Sequence, residues 1–156
     1  MPLHIAKSYK DTIAEATEAE ANNDWETAAK LYERAIKLEP HDELPYDRAM
    51  IVYRKLYQYE NELRIINTGI KNLEEFYKER SQKIISNNKT AQQLSKSLAK
   101  SLGLTDKKGN DLYHPAAVEK WMKRKAVVEN KLGKAAKAAT TFKQQQKKSP
   151  KRKNNK

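Results

Sequence analysis

The amino-acid sequence predicts an all-α fold. Its 156 residues contain only four glycines and five prolines, too few turn residues for a many-stranded sheet. Residues that favour helices, such as Ala, Leu, Glu, Lys and Gln, are abundant. Along most of the chain apolar residues recur every three or four positions, the spacing of a helix with one buried face. We therefore expect five or six helices packed around one core.

The first part of the chain predicts three helices. The first covers about residues 6–22, with apolar residues at the helical spacing. Asp24 is placed to cap the second helix, which ends at Pro40, so that the first two helices form a hairpin. The third opens after Asp42 and has Pro45 near its first turn.

The middle of the chain predicts either one long helix or two shorter ones. The helical spacing starts at Leu63 and resumes in register beyond residues 86–88, with Leu94, Leu98 and Leu102. We favour two helices, because the sequence Asn-Asn-Lys-Thr offers a break and Thr90 a second cap. Gly103 is expected to end the second of them.

A last helix is expected after a connector over residues 103–114 with a turn at 108–110, starting at Pro115. Its apolar stripe, interrupted by Lys125, consists of Val118, Trp121, Met122, Val128, Leu132, Ala136, Ala139 and Phe142. This helix should pack on the domain at least as far as Leu132. Residues 143–156 contain no apolar side chain, which predicts a single domain over 1–142 and a disordered basic tail.

Charge is divided unevenly along the chain. Residues 1–80 carry 12 Lys or Arg and 16 Asp or Glu, a net charge of −4, whereas residues 81–156 carry 20 and 4, a net charge of +16. A strongly basic half is typical of proteins with an acidic partner, of which nucleic acid is the commonest. The competing interpretation is that these charges only keep the protein soluble.

Several classes of protein are excluded by what the sequence lacks. Without cysteine there is neither a disulfide framework nor a thiolate metal site. No apolar run reaches the roughly 18 to 20 residues that cross a bilayer, and the N-terminus has no signal-peptide core. These features predict a cytoplasmic protein without membrane association, and the tail segment KKSPKRK resembles a nuclear-localisation signal for a eukaryotic source.

An internal comparison at an offset of 34 residues finds matching positions. The pairs are Trp25 with Tyr59, Leu31 with Ile65, Tyr32 with Ile66, and Ile36 with Ile70. The first unit also has Ala16, the Asn23-Asp24-Trp25 turn, Ala28, Ala35 and Pro40. These residues resemble the tetratricopeptide repeat, a helix hairpin with a 34-residue period. Ala28 and Ala35 would allow close approach of the paired helices, while Trp25 and Tyr32 would be largely buried between hairpins.

The resemblance covers one clear repeat over about 9–42 and one degenerate repeat over about 43–75. In the second unit the small positions are Glu62 and Gly69, and Glu74 replaces the closing proline. Such arrays usually need three or more units, so the long fourth helix and the basic last helix would have to cap this one. The competing explanation is an ordinary helix bundle with similar spacing.

The resemblance implies a non-catalytic protein-interaction module or adaptor that binds a protein partner in a groove lined by the first helices of the hairpins. Mapped by repeat position, the partner-binding residues would be Ile13, Thr17, Asp47, Ile51, Arg54 and Lys55. The family's clamp for C-terminal carboxylates is absent, because Ile13 and Thr17 occupy the positions of its first Lys and Asn pair.

The sequence contains no motif that indicates catalysis or metal binding. His4, His41 and His114 lack the spacing of a metal site, and no nucleotide-binding, hydrolase or metalloprotease motif is present. The acidic pair Glu60 and Glu62 has the pattern of a solvated helix face. We expect neither enzyme activity nor a cofactor.

The alternative function is association with nucleic acid through the basic C-terminal half. Cations that could neutralise the phosphate backbone without reading the base sequence are Lys120, Lys123, Arg124, Lys131, Lys151, Arg152 and Lys153. Base stacking is poorly supported, because Trp121 and Phe142 are the only aromatic residues nearby.

Overall fold

The computed structural model describes residues 8–85, 88–108 and 114–148, without the side chains of residues 84, 85 and 141–148. The described residues form six helices and no strand, which confirms the all-α class. The helices are α1 (Tyr9–Ala21), α2 (Trp25–Leu38), α3 (Glu43–Lys55), α4 (Tyr59–Ile85), α5 (Lys89–Ser101) and α6 (Ala116–Lys148).

Short polar side chains fix where the helices begin. The carboxylate of Asp24 accepts a hydrogen bond from the amide of Thr27 over 3.2 Å, and Asp42 accepts one from the amide of Leu44 over 2.9 Å, as predicted. The cap of α5 is Asn88 rather than Thr90. The Asn88 side-chain oxygen accepts from the amides of residues 90 and 91, so Thr90 lies inside the first turn.

The turns of the two hairpins repeat with the 34-residue offset. Asn23, between α1 and α2, and Tyr57, between α3 and α4, both have a φ of 58°, in the left-handed region. In each turn the following amide donates to the carbonyl five residues back, over 2.9 Å. Both α1 and α3 therefore end in the same way, with the hydrogen bond of a Schellman motif.

Helices α1, α2, α3 and α4 pack each against the next, and α6 returns to pack on α4. The core runs through these five helices, and its largest fully buried side chains include Tyr32, Tyr46, Ile66, Leu73 and Trp121. The last helix thus packs on the domain as far as Leu132, as predicted, and the helix that it covers is α4. Val118 and Val128 of α6 are buried, and Leu132 packs against the edge of the core.

Trp25 and Met122 are less buried than predicted. Trp25 is only partly buried, because it is the first residue of α2 and packs against the edge of the core. Met122 is 42% exposed, since it lies about 100° around the helix from the buried Trp121. The expected burial of Tyr32 is confirmed.

The structure differs from the prediction in α5 and at the C-terminal end of α6. Helix α5 is separate from α4, which confirms the two-helix prediction, but its leucine stripe, predicted from its register to continue the apolar face, is exposed. Helix α6 continues to Lys148, past the predicted domain end at 142, because Lys and Gln propagate a helix without burial. Residues 149–156 lie outside the described residues, as do Gly109 and Asn110 of the predicted 108–110 turn.

Candidate protein-binding groove

A groove of about 910 Å³ lies between α3 and α6. Its lining includes the buried side chains of Met50 and Trp121. Leu44, which is 48% exposed, and the partly buried Ile51 present apolar surface from α3 to the same space. The groove therefore offers an apolar strip along one helix, with charged side chains from both helices around it.

A buried carboxylate joins the two sides of this groove. Glu62 of α4 is fully buried, and its oxygens accept hydrogen bonds from Arg124 of α6 over 2.6 and 2.9 Å. Arg54 of α3 donates to the same carboxylate over 3.1 and 3.3 Å. Three helices are thus tied together through one charged group. The prediction that Glu62 belongs to a solvated face is wrong, because two guanidinium groups compensate its burial.

The second contact that holds α6 against α4 is the packing of Trp121 on Gly69. A Cβ atom at Gly69 would lie 2.8 Å from Cζ3 of Trp121 and 3.0 Å from Cδ1 of Tyr46, so α4 offers room for the indole only because this residue has no side chain. The indole nitrogen donates to Asp47 over 2.8 Å. The ring centroids of Trp121 and Tyr46 are 5.3 Å apart.

Two of the three departures from the repeat pattern, Glu62 and Gly69, are therefore contact points of the last helix. The 34-residue offset places Glu62 on Ala28 and Gly69 on Ala35, both of which are fully buried small residues. A glutamate at a buried position needs a cationic partner. That signal was present in the sequence, although it did not identify Arg124 as the partner.

Three of the six predicted partner-binding residues line the groove: Asp47, Ile51 and Arg54. Asp47 accepts hydrogen bonds from Lys120 over 2.6 Å and from Trp121, and Arg54 pairs with Glu62, so both also hold the fold together. Their charged atoms are already oriented by partners within the chain.

The other three predicted residues lie away from the groove lining. Ile13 packs partly against the core from α1, and Thr17 is exposed, with its hydroxyl donating to the carbonyl of Ile13. The ammonium group of Lys55 lies 5.8 Å from the ring centroid of Trp25, at the turn end of the hairpins.

The predicted nucleic-acid residues divide into three groups. Lys120 and Arg124 are engaged with Asp47 and Glu62, and Lys131 lies 4.7 Å from the ring centroid of Tyr59. Lys123 is exposed. The remaining three, Lys151, Arg152 and Lys153, lie outside the described residues.

A second ion-pair cluster joins α2, α3 and α4. Glu33 accepts from the hydroxyl of Tyr53 and from Arg64. Burial and the contact with Glu33 raise the pKa of Tyr53 to about 12. Burial alone would raise the pKa of Glu33, but the hydrogen bonds from Arg64 and Tyr53 outweigh it and lower that pKa below its ordinary value.

The histidines do not form a metal site in the part of the chain that the structure describes. The ring of His41 stacks on Phe76 with centroids 4.1 Å apart, and His114 lies 3.1 Å from Glu74. Among the described residues no three His, Cys, Asp or Glu side chains could hold a metal together. His4 lies outside these residues. In the same part of the chain, no helix combines the length and hydropathy needed to span a membrane.

Searches among known proteins give no relative from which a function could be transferred. No protein-family model, curated protein or solved structure matches the chain.

Proposed function

We propose that the protein is a non-catalytic protein-binding module built from two tetratricopeptide-like hairpins, capped by α6. The observation that carries the proposal is the groove between α3 and α6, in which apolar surface lies beside fixed charges. The 34-residue repeat of the hairpin turns supports the hairpin assignment, because both turns have the same left-handed residue and hydrogen bonding.

The groove suits a peptide segment with one apolar and one acidic side chain. Leu44 and Ile51 lie two turns apart on α3 and would cover the apolar side chain. Arg54, one turn further on, has a side chain that is 42% exposed and shares the Glu62 carboxylate with Arg124. Two guanidinium groups on one carboxylate leave positive charge at this end of the groove, whereas Asp42 and Glu43 line its other end, so the acidic side chain of the peptide would lie beside Arg54.

The test is affinity capture from a lysate of the source organism with the full chain and with a groove variant. L44D/I51D introduces two charges into the apolar strip, and L38D is the matched control, because Leu38 is a similarly exposed leucine on α2 outside the groove lining. We expect proteins captured by the wild type and by L38D to be lost with L44D/I51D, and capture to survive nuclease treatment. Equal capture by all three chains would refute the assignment of the groove.

Binding of a nucleic-acid backbone is the second candidate function. It is supported by the part of α6 that follows Leu132: residues 133–140 are all exposed and include Lys134 and Lys137. Deleting residues 143–156 removes seven further cations and no acidic residue. If this region binds duplex DNA, the slope of log affinity against log salt should flatten by up to about 6 units, because fewer counterions are released. Full-chain affinity that is undetectable at low salt would exclude this function.

A further inference from the structure

Helix α5 presents a ridge of leucines to solvent. Leu94 and Leu98 of this helix and Leu102, its C-terminal cap residue, are 65%, 59% and 62% exposed, and none of the thirteen residues of the helix is buried. The helix packs only lightly on α4. A helix of this length is marginally stable alone in water, so its order depends on contacts beyond its own backbone.

The shape of this leucine ridge indicates what kind of surface it fits. With a spacing of four residues, the three leucines fall within about 80° of the helix circumference. A strip this narrow is typical of the seam between two paired helices, whereas a helix that faces a core has a wider apolar face. Ala91 and Ser95 lie beside the ridge, and such small side chains let another helix approach closely.

The charges of α5 lie on its far side. Lys89, Lys96 and Lys100 are centred about 180° around the helix from the leucine ridge, and α5 contains no acidic residue. A helix docked on the ridge would therefore meet no charged side chain of α5 at its flanks. Two copies of α5 could pair face to face while their lysines point away from each other, which removes the main electrostatic objection to contact between two basic chains.

We propose that the leucine ridge of α5 pairs with the same ridge of a second copy of this chain, with the two helices antiparallel. The ridge is self-complementary about Leu98: an antiparallel copy places Leu98 opposite Leu98 and Leu94 opposite Leu102. A two-fold axis through this point makes both copies contribute the same surface, as in most homodimers. This dimer is independent of the groove, and it would carry two grooves and so bind repeated partner segments with avidity.

The exposed apolar area of the leucine ridge indicates how large the dimer interface can be. The three leucines expose on the order of 300 Å², the size of the largest apolar patch on a typical monomer. Two ridges with their flanks would bury on the order of 1,000 Å², less than a standard specific interface. We therefore expect a weak, reversible dimer rather than an obligate one. Because each chain carries a net charge of +12, screening by salt should strengthen the dimer.

The first experiment is sedimentation equilibrium of the full chain over a range of concentrations, at low and at high salt. We expect a dimer that is favoured by salt, and at least a tenfold weaker association for L94Q/L98Q. Glutamine favours helices, so circular dichroism should show unchanged helix content in this variant. The control is L38Q, which replaces a 43% exposed leucine of α2 and should dimerise like the wild type.

The second experiment tests the antiparallel register and uses the absence of native cysteine. Under mild oxidation L98C should form a disulfide-linked dimer, because the two substituted residues face each other at the axis. Q93C places the thiol on the far side of α5 and should remain monomeric under the same conditions. Mixing L94C with L102C should give more cross-linked dimer than either chain alone.

Other outcomes would overturn the proposal. A chain that is monomeric at all concentrations and salts, a dimer that salt weakens, or equal cross-linking of L98C and Q93C each contradicts pairing through this ridge. Binding to phosphatidylserine vesicles that is abolished by L94Q/L98Q would assign the ridge to a lipid surface instead. The groove test with L44D/I51D leaves α5 unchanged, so either proposal can fail without the other.

Discussion

Replacing each of two helical glycines with alanine is the most direct test of how α6 packs on α4. Gly69 lies where Trp121 and Tyr46 pack on α4, whereas Gly133 lies on α6 just beyond its last packed residue, with no atom within 4 Å of a Cβ built there. In an open helix, replacing glycine with alanine stabilises a protein by about 0.5 to 1 kcal/mol, because alanine loses less backbone entropy on folding. We expect Gly133→Ala to give this gain.

The same substitution at Gly69 should have the opposite sign. Its Cβ would meet two atoms of the Trp121 ring at 2.8 and 3.1 Å and one atom of Tyr46 at 3.0 Å, and both rings are buried and cannot easily move. Overpacking of this kind costs about 1 to 3 kcal/mol. After the alanine gain is subtracted, Gly69→Ala should destabilise the protein by about 0.5 to 2 kcal/mol.

Urea unfolding followed by circular dichroism at 222 nm measures both changes. The steric cause is isolated by repeating Gly69→Ala in a Trp121→Phe background, where the smaller ring leaves room and the penalty should shrink. The reasoning would be refuted if Gly69→Ala stabilised the wild-type chain as much as Gly133→Ala does. A penalty that is the same in both backgrounds would show that Trp121 is not its cause.

Three further predictions follow from charged groups and backbone conformation. Glu62→Ala removes the buried carboxylate and should lower the free energy of unfolding in urea by about 3 to 5 kcal/mol, because two guanidinium groups lose their partner. The control is Glu60→Ala at an exposed position, which should lower it by less than about 0.5 kcal/mol. Tyr57→Gly should stabilise the chain by about 1 kcal/mol in the same assay, because Tyr57 is 78% exposed and has a φ of 58°, which glycine adopts without strain. A loss of stability would mean that the tyrosine ring makes a contact that the fold needs. Because the pKa of Glu33 is lowered in the folded state, its carboxylate stabilises the fold above the unfolded-state pKa, and this stability is lost as the pH falls through the folded-state pKa. The free energy of unfolding measured between pH 7 and 3 should therefore depend less on pH in Glu33→Gln than in the wild type. Identical pH profiles would exclude this contribution.

The sequence determined the ends of most helices, because these depend on a few neighbouring residues. Asp24 and Asp42 cap the helices that follow them through bonds within three residues. Gly103, with a φ of 68°, ends α5 in the conformation that glycine favours. The apolar spacing also identified core residues of the first four helices, such as Ala28, Tyr32 and Ile66, since one helix face is readable from sequence alone.

Only the tertiary structure decided which helix faces are covered by another segment of the chain. Glu62 has the local pattern of a surface residue, and it is buried because Arg124, 62 positions later, returns to it on α6. The leucines of α5 show the converse case: their spacing predicts a buried face, yet the described chain leaves them exposed. Burial depends on which distant segment arrives at a helix, and helical periodicity states only that one face is suited to be covered.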